Sequence, residues 1–192
     1  MTDEQRQIQD ILEGNKEAFS ELIDRYKRLV SHIVYKMVKT NEDRQDLCQD
    51  VFIKVYQNLE SFKGNCKLSS WIGRIAFNAS LNHLGKKKPE LWDDISPELS
   101  LDSQPNSSLL LDEEIANKDM VKRISEEIQL LPPPYNVIVT LYHLDEMSYQ
   151  DIAEVTGMPD GTVKNYLFRA RRLLRERLSK KYWKEDWKKC GT

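Results

Sequence analysis

Lys164, Arg169, Arg171, Arg172, Arg175 and Arg177 fall within one stretch that begins at Asp160-Gly161-Thr162. Cationic groups repeated on one helix neutralise phosphate and hydrogen-bond to base edges. Two short crossing helices, read from Ser148 to Leu174 (SYQDIAEVTGMPDGTVKNYLFRARRLL), must position them. Ile152, Ala153 and Val155 are the apolar residues of the first, and Val163, Leu167, Leu173 and Leu174 those of the second. Ala153 is small where the helices would touch, Gly157 can turn the chain with positive φ, and Pro159 bars continuation of the first helix. A solvated basic face on an ordinary hairpin would carry the same charges. Ala153, Gly157 and Val163 at their relative spacing favour a helix-turn-helix that lays its second helix in the DNA major groove.

Catalytic spacing is lacking elsewhere. His32, His83 and His143 fall on separate predicted helices, and no HxxxH, HExxH, P-loop or GxSxG pattern occurs. Asp93-Asp94 and Glu113-Glu114 lie in or beside a linker, without the convergence catalysis needs. Cys48, Cys66 and Cys190 form neither a CxxC pair nor a zinc spacing, so a reduced compartment, no metal and no cofactor are expected. The N-terminus MTDEQRQIQD is polar and acidic, with no signal peptide expected, and no apolar run nears the roughly 18 residues that span a bilayer. The expectation is a cytoplasmic protein that is not an enzyme.

The net charge of −2 over 192 residues conceals segregation. Residues 89–115 hold eight acids and no base, whereas residues 162–192 hold eleven Lys or Arg against three acids. This reads as an acidic tether followed by a basic domain. Helical periodicity marks residues 4–38, with Phe19, Leu22, Ile23, Tyr26, Val30, Ile33, Val34 and Met37 in phase and a break at Gly14-Asn15. A helix is predicted from Asn41 to Leu59, then a loop through Gly64-Asn65, then a helix capped by Ser69 or Ser70 and ending at Gly85. Residues 89–112, with three prolines and five serines, read as a linker. Helix resumes near Asp112, is stopped by Pro132-Pro133-Pro134, and returns from Tyr135 to Leu144. The fold class is therefore all-α: two small helical domains, residues 1–88 and 113–192, joined by an extended acidic linker over 89–112.

The block DLCQDVFIKVYQNLESFKGNCKLSSWIGRIAFNASLNHL, residues 46–84, resembles the second conserved region of bacterial sigma factors, and the terminal helix-turn-helix resembles their fourth. With these two regions and a short linker, the chain resembles the extracytoplasmic-function (ECF) group. The resemblance implies a transcription initiation factor that binds core RNA polymerase and promoter DNA. It also implies an anti-sigma protein as a partner and no membrane insertion, and a monomer is expected when free. Residues 1–88 would bind core polymerase, recognise the minus-ten element and melt it, and residues 113–192 would read the minus-thirty-five element. The linker would thread toward the polymerase active site, its acids either imitating nucleic acid or merely solvated.

By the same resemblance Asp46, Leu47, Gln49, Asp50 and Phe52 would dock on the polymerase clamp, with Phe52 half in the core and a merely solvated face as the alternative. Lys63, Asn65, Lys67, Trp71, Arg74, Asn78, Lys86, Lys87 and Lys88 would handle minus-ten DNA. For Trp71 a place in the core competes with that role. Thr162, Lys164, Asn165, Phe168 and Arg169 would face minus-thirty-five bases, with Arg171 and Arg172 on phosphate and Tyr149 and Gln150 near the backbone. Their chemistry suits this: Arg or Lys bridges guanine acceptors, Asn pairs with adenine, and Phe meets a thymine methyl. The alternative is a helix-turn-helix regulator that binds DNA without the polymerase, which would leave residues 46–84 without a purpose. Where the family often has an Arg shortly after its Leu-Pro, this chain has Pro133-Pro134-Tyr135-Asn136. The WKEDWKK tail has no counterpart in the resemblance.

Overall fold

The computed structural model describes the backbone of residues 3–85 and 116–189, with side chains over 3–85 and 123–179. The expected linker and Lys86-Lys87-Lys88 lie outside the described residues. Eight α-helices are seen among those described, with no strand: α1 Asp3–Leu12, α2 Lys16–Met37, α3 Asn41–Asn58, α4 Leu68–His83, α5 Ala116–Gln129, α6 Pro133–His143, α7 Tyr149–Thr156 and α8 Asp160–Lys189. A 3-10 turn, Leu59–Ser61, follows α3.

Local chemistry sets most boundaries. Gly14 takes φ +95°, and the Asn15 side chain accepts hydrogen bonds from the amides of Glu17 and Ala18, starting α2 where the periodicity broke. Thr40 caps α3 in the same manner through the amide of Asp43. At α7 the box is complete: Ser148 accepts from the Asp151 amide, and the Asp151 carboxylate accepts from the Ser148 amide. Gly157, at φ +71°, ends that helix in the left-handed region.

Two expectations need correction. Neither Ser69 nor Ser70 caps α4, which begins at Leu68 after Lys67. Ser70 is buried, and its hydroxyl donates to Asp151 Oδ1 at 3.3 Å, a partner 81 residues away. Pro132-Pro133-Pro134 does not merely stop a helix. Pro133 and Pro134 open α6, because the first helical turn leaves amides unpaired and a proline there loses no hydrogen bond.

Packing joins the two halves. α2, α3 and α4 bury Leu22, Val30, Ile33, Val51, Val55, Ile72, Ala76 and Phe77, and α6, α7 and α8 bury Ile138, Leu141, Ile152, Val163 and Leu167. These residues belong to one continuous core, with α2 against α6 and α4 against α7. Gly73 lies where α4 and α7 approach: a methyl group built on it would stand 2.8 Å from Cγ2 of Val155. Each large side chain buried in such a core stabilises by about 1.5–3 kcal/mol. No helix among the described residues is long and apolar enough to cross a membrane, and no cluster of three or more metal-ligating side chains occurs among them.

Candidate nucleic-acid interface

Val163, Tyr166, Leu167 and Ala170 turn one face of α8 into the core. At 3.6 residues per turn this sets Lys164, Asn165, Phe168, Arg169, Arg171 and Arg172 on the remaining arc. Lys164 and Arg171 are exposed, while Thr162, Asn165, Phe168, Arg169 and Arg172 are half-buried. Lys164 lies 2.6 Å from the Asp160 carboxylate and over the Tyr149 ring, 5.4 Å from its centre. The Asp160 carboxylate raises its pKa.

An aromatic ladder beside α8 was not read from the sequence. Tyr142 and Tyr149 stack at 5.2 Å, and the Arg171 guanidinium lies 5.1 Å from the Tyr142 ring centre. Arg171 Nε also donates to His143 Nε2 at 3.3 Å. Desolvation, and then the Arg171 charge, push the His143 pKa below its ordinary value. Of the predicted phosphate contacts, Arg171 is thus braced by α6, and Arg172 is paired with Glu176 at 3.1 Å. The missed signal is Tyr142-His143 ending the helix just before Tyr149.

In the first half, Trp71 packs half-buried against Phe62, ring centres 5.4 Å apart. It is therefore both a packing residue and a wall. An open cleft of about 490 Å³ lies between α3 and α4, lined by Lys54, Asn58, Trp71, Arg74, Asn78 and Asn82 among others. Trp71, Arg74 and Asn78 are brought together along this cleft. Lys63 and Asn65 are exposed in the loop before α4 and do not line the cleft. Lys54, Asn58 and Asn82 were missed, although Asn78 and Asn82 are four apart on one helix, a spacing that shares a face.

On α3, Asp46, Gln49 and Asp50 are exposed. Leu47 and Phe52 are buried at 7% and 9%, because their phase on α3 points them into the core. The exposed apolar residues are instead Ile53 and Tyr56, at 54% and 51%.

The two halves meet along the other edge of α4. Lys67 Nζ lies 2.8 Å from Asp151 Oδ2 and Arg74 lies 3.8 Å from Glu154. Burial works to raise the Asp151 carboxyl, but hydrogen bonds from Lys67 and Ser148 outweigh it and hold its pKa below the ordinary value. Across α2 and α6, His32 Nδ1 donates to the Asp145 carboxylate at 2.9 Å, and Arg28 reaches the Leu144 carbonyl at 3.4 Å.

The family description "Sigma-70 region 2" matches residues 22–90, and "Sigma-70, region 4" matches residues 122–174. The chain is 32% identical over 178 residues to the ECF RNA polymerase sigma factor SigW of Bacillus subtilis (strain 168), covering 90% of this chain and 95% of that protein. It is 31% identical over 182 residues to the ECF RNA polymerase sigma-E factor of Haemophilus influenzae, covering 91% and 95%. Among solved structures, CnrH in complex with the cytosolic domain of CnrY has a similar fold, with a TM-score of 0.63 and 18% identity, covering 91% of this chain and 96% of that one. The sigma factor RpoE of Bartonella quintana, in complex with the anti-sigma factor NepR, has a TM-score of 0.60 and 20% identity, covering 84% and 96%.

Proposed function

The chain belongs to the ECF group of sigma-70 factors, which direct RNA polymerase to promoters, and from that premise we propose how its residues divide the work. It binds core polymerase and promoter DNA, and it is not itself an enzyme: nucleotide chemistry belongs to the polymerase. The observation that carries the function is the match over 90% of the chain to SigW, with regions 2 and 4 in order.

Region 4 reads the minus-thirty-five element through Thr162, Lys164, Asn165, Phe168 and Arg169, with Arg171 and Arg172 on phosphate. The outward arc of α8 supports this division. Region 2 holds melted minus-ten DNA. The α3–α4 cleft offers Trp71 as a stacking wall, Asn78 and Asn82 as hydrogen-bonding groups, and Arg74 and Lys54 as charges. Lys63, Asn65 and Lys67, in the loop before α4, and Lys86-Lys87-Lys88 supply further contacts to the DNA. Asp46, Gln49 and Asp50, joined by Ile53 and Tyr56, form the surface for the polymerase clamp: a polar rim beside exposed apolar groups.

The domains are residues 1–88 and 113–192, linked by 89–112. The protein works in the cytoplasm, where the polymerase is, as a monomer when free. An anti-sigma protein holds it inactive, as the RpoE–NepR complex suggests by its name. Run-off transcription with purified core polymerase and fragmented genomic DNA tests the whole. Discrete start sites that require this protein are expected. DNA binding without core binding would replace the reading with that of a regulator acting alone.

A further inference from the structure

The cations on the outward arc of α8 are held in different ways. Lys164 is paired with Asp160 and Arg172 with Glu176, so carboxylates of the same helix already answer their charges. Arg171 pairs with no carboxylate among the described residues, yet neutral groups hold it on two sides. Its Nε and Nη2 both donate to His143 Nε2 at 3.3 Å. Desolvation and the Arg171 charge lower the His143 pKa and so keep that imidazole neutral. The guanidinium also lies over the Tyr142 ring. The Tyr142 oxygen accepts hydrogen bonds from Tyr149 and from Arg171, which hold its pKa below the ordinary value. A cation fixed by neutral partners keeps its full charge and has already given up side-chain freedom. Because Arg171 is exposed, its remaining N–H groups can meet a phosphate without first breaking an ion pair.

The second ring completes the support. Tyr149 stacks on Tyr142, with 24° between the ring planes, and donates its hydroxyl to the Tyr142 oxygen. Tyr149 is the first residue of α7, which the Ser148–Asp151 capping box fixes, and Tyr142 lies in the last turn of α6. Three helices therefore set the place of one guanidinium.

We propose that Tyr142 and Tyr149 are positioning residues of the minus-thirty-five interface: the stacked pair holds Arg171 as the preformed phosphate anchor of region 4, a role that Arg172, tied to Glu176, does not share. The proposal rests on the reading of α8 as the minus-thirty-five helix with Arg171 on phosphate.

Anisotropy of the full chain with a fluorescein-labelled DNA duplex of mixed sequence measures phosphate binding without base readout. Tyr142→Leu keeps bulk beside Arg171 and removes the ring with its oxygen. It is expected to weaken binding about two- to fivefold, the worth of one exposed cation–π contact. Arg171→Ala is expected to weaken binding more than Arg172→Ala does. Adding Tyr142→Leu to Arg171→Ala should cost nothing further, whereas adding it to Arg172→Ala should cost its full loss again. Tyr142→Phe keeps the ring and should bind within about twofold of wild type. Circular dichroism checks folding, and should Tyr142→Leu unfold, Tyr149→Leu is read in the same two backgrounds. Unchanged affinity for the leucine variant overturns the positioning role. Equal further losses in both arginine backgrounds also overturn it, since a merely structural residue would give that result. A loss for Arg172→Ala as large as that for Arg171→Ala overturns the anchor. Wild-type affinity for Arg171→Ala would instead overturn the phosphate reading of Arg171 on which the proposal rests.

Discussion

The ammonium of Lys67 lies 2.8 Å from Oδ2 of Asp151, a residue 84 positions later, and that same carboxylate closes the capping box of α7 with Ser148. One side chain thus starts a helix in one region and ties it to the other.

The two roles differ in weight. Asp151→Ala removes the box and the tie together and should lower stability by about 1–2 kcal/mol. Lys67→Ala removes only an ion pair whose lysine side chain is 68% exposed, and should cost under about 1 kcal/mol. Urea unfolding followed by circular dichroism compares them. Equal losses would mean that the cap contributes nothing. Because the Asp151 pKa is depressed in the folded chain, its contribution is full above its unfolded value near 3.8 and is lost as pH falls through the lower folded value.

Legibility followed the range of the interactions. The break at Gly14-Asn15 and the turn at Gly157 were legible because their causes lie within a few residues. Ser70 looked like a cap for the same reason, yet its hydroxyl goes to Asp151, and nothing local announces a bond across the molecule. Gly73 passed unnoticed inside a helix pattern. Its reason is Val155, which only the packing of α4 on α7 brings near. Leu47 was assigned to docking by family position, and Phe52 to docking and core together, while their helical phase sends both into the core and leaves Ile53 and Tyr56 outside.

Ile53→Asp should therefore abolish binding to core polymerase while leaving the melting temperature nearly unchanged, since the exposed side chain buries little. Native gel shift with core polymerase and a thermal melt check both halves. A large loss of stability would place Ile53 among the packing residues instead.

Arg169 and Arg171 should differ in kind. Arg169→Ala is expected to cost about 1–3 kcal/mol on the cognate minus-thirty-five sequence and little on unrelated DNA. Arg171→Ala should weaken all sequences alike and reduce the salt slope by about 1. Tyr142→Ala should reproduce part of the Arg171 loss, because the ring 5.1 Å from the guanidinium braces it. Anisotropy titrations across salt concentrations, on both DNAs, separate the three.

His143 should give DNA binding a pH dependence. Desolvation and the adjacent Arg171 lower its pKa beneath 6.5, so the folded chain holds fewer protons there than the unfolded one. Stability accordingly declines as pH drops through 6.5 toward the folded value. A phosphate arriving at Arg171 reverses the local field and favours the protonated ring, so binding takes up a proton. Affinity for DNA should rise as pH is lowered from about 7.5 to about 5.5, and His143→Gln should flatten that rise. Anisotropy at constant ionic strength reads both curves. Matching slopes would remove His143 from the interface and leave Arg171 braced by Tyr142 alone.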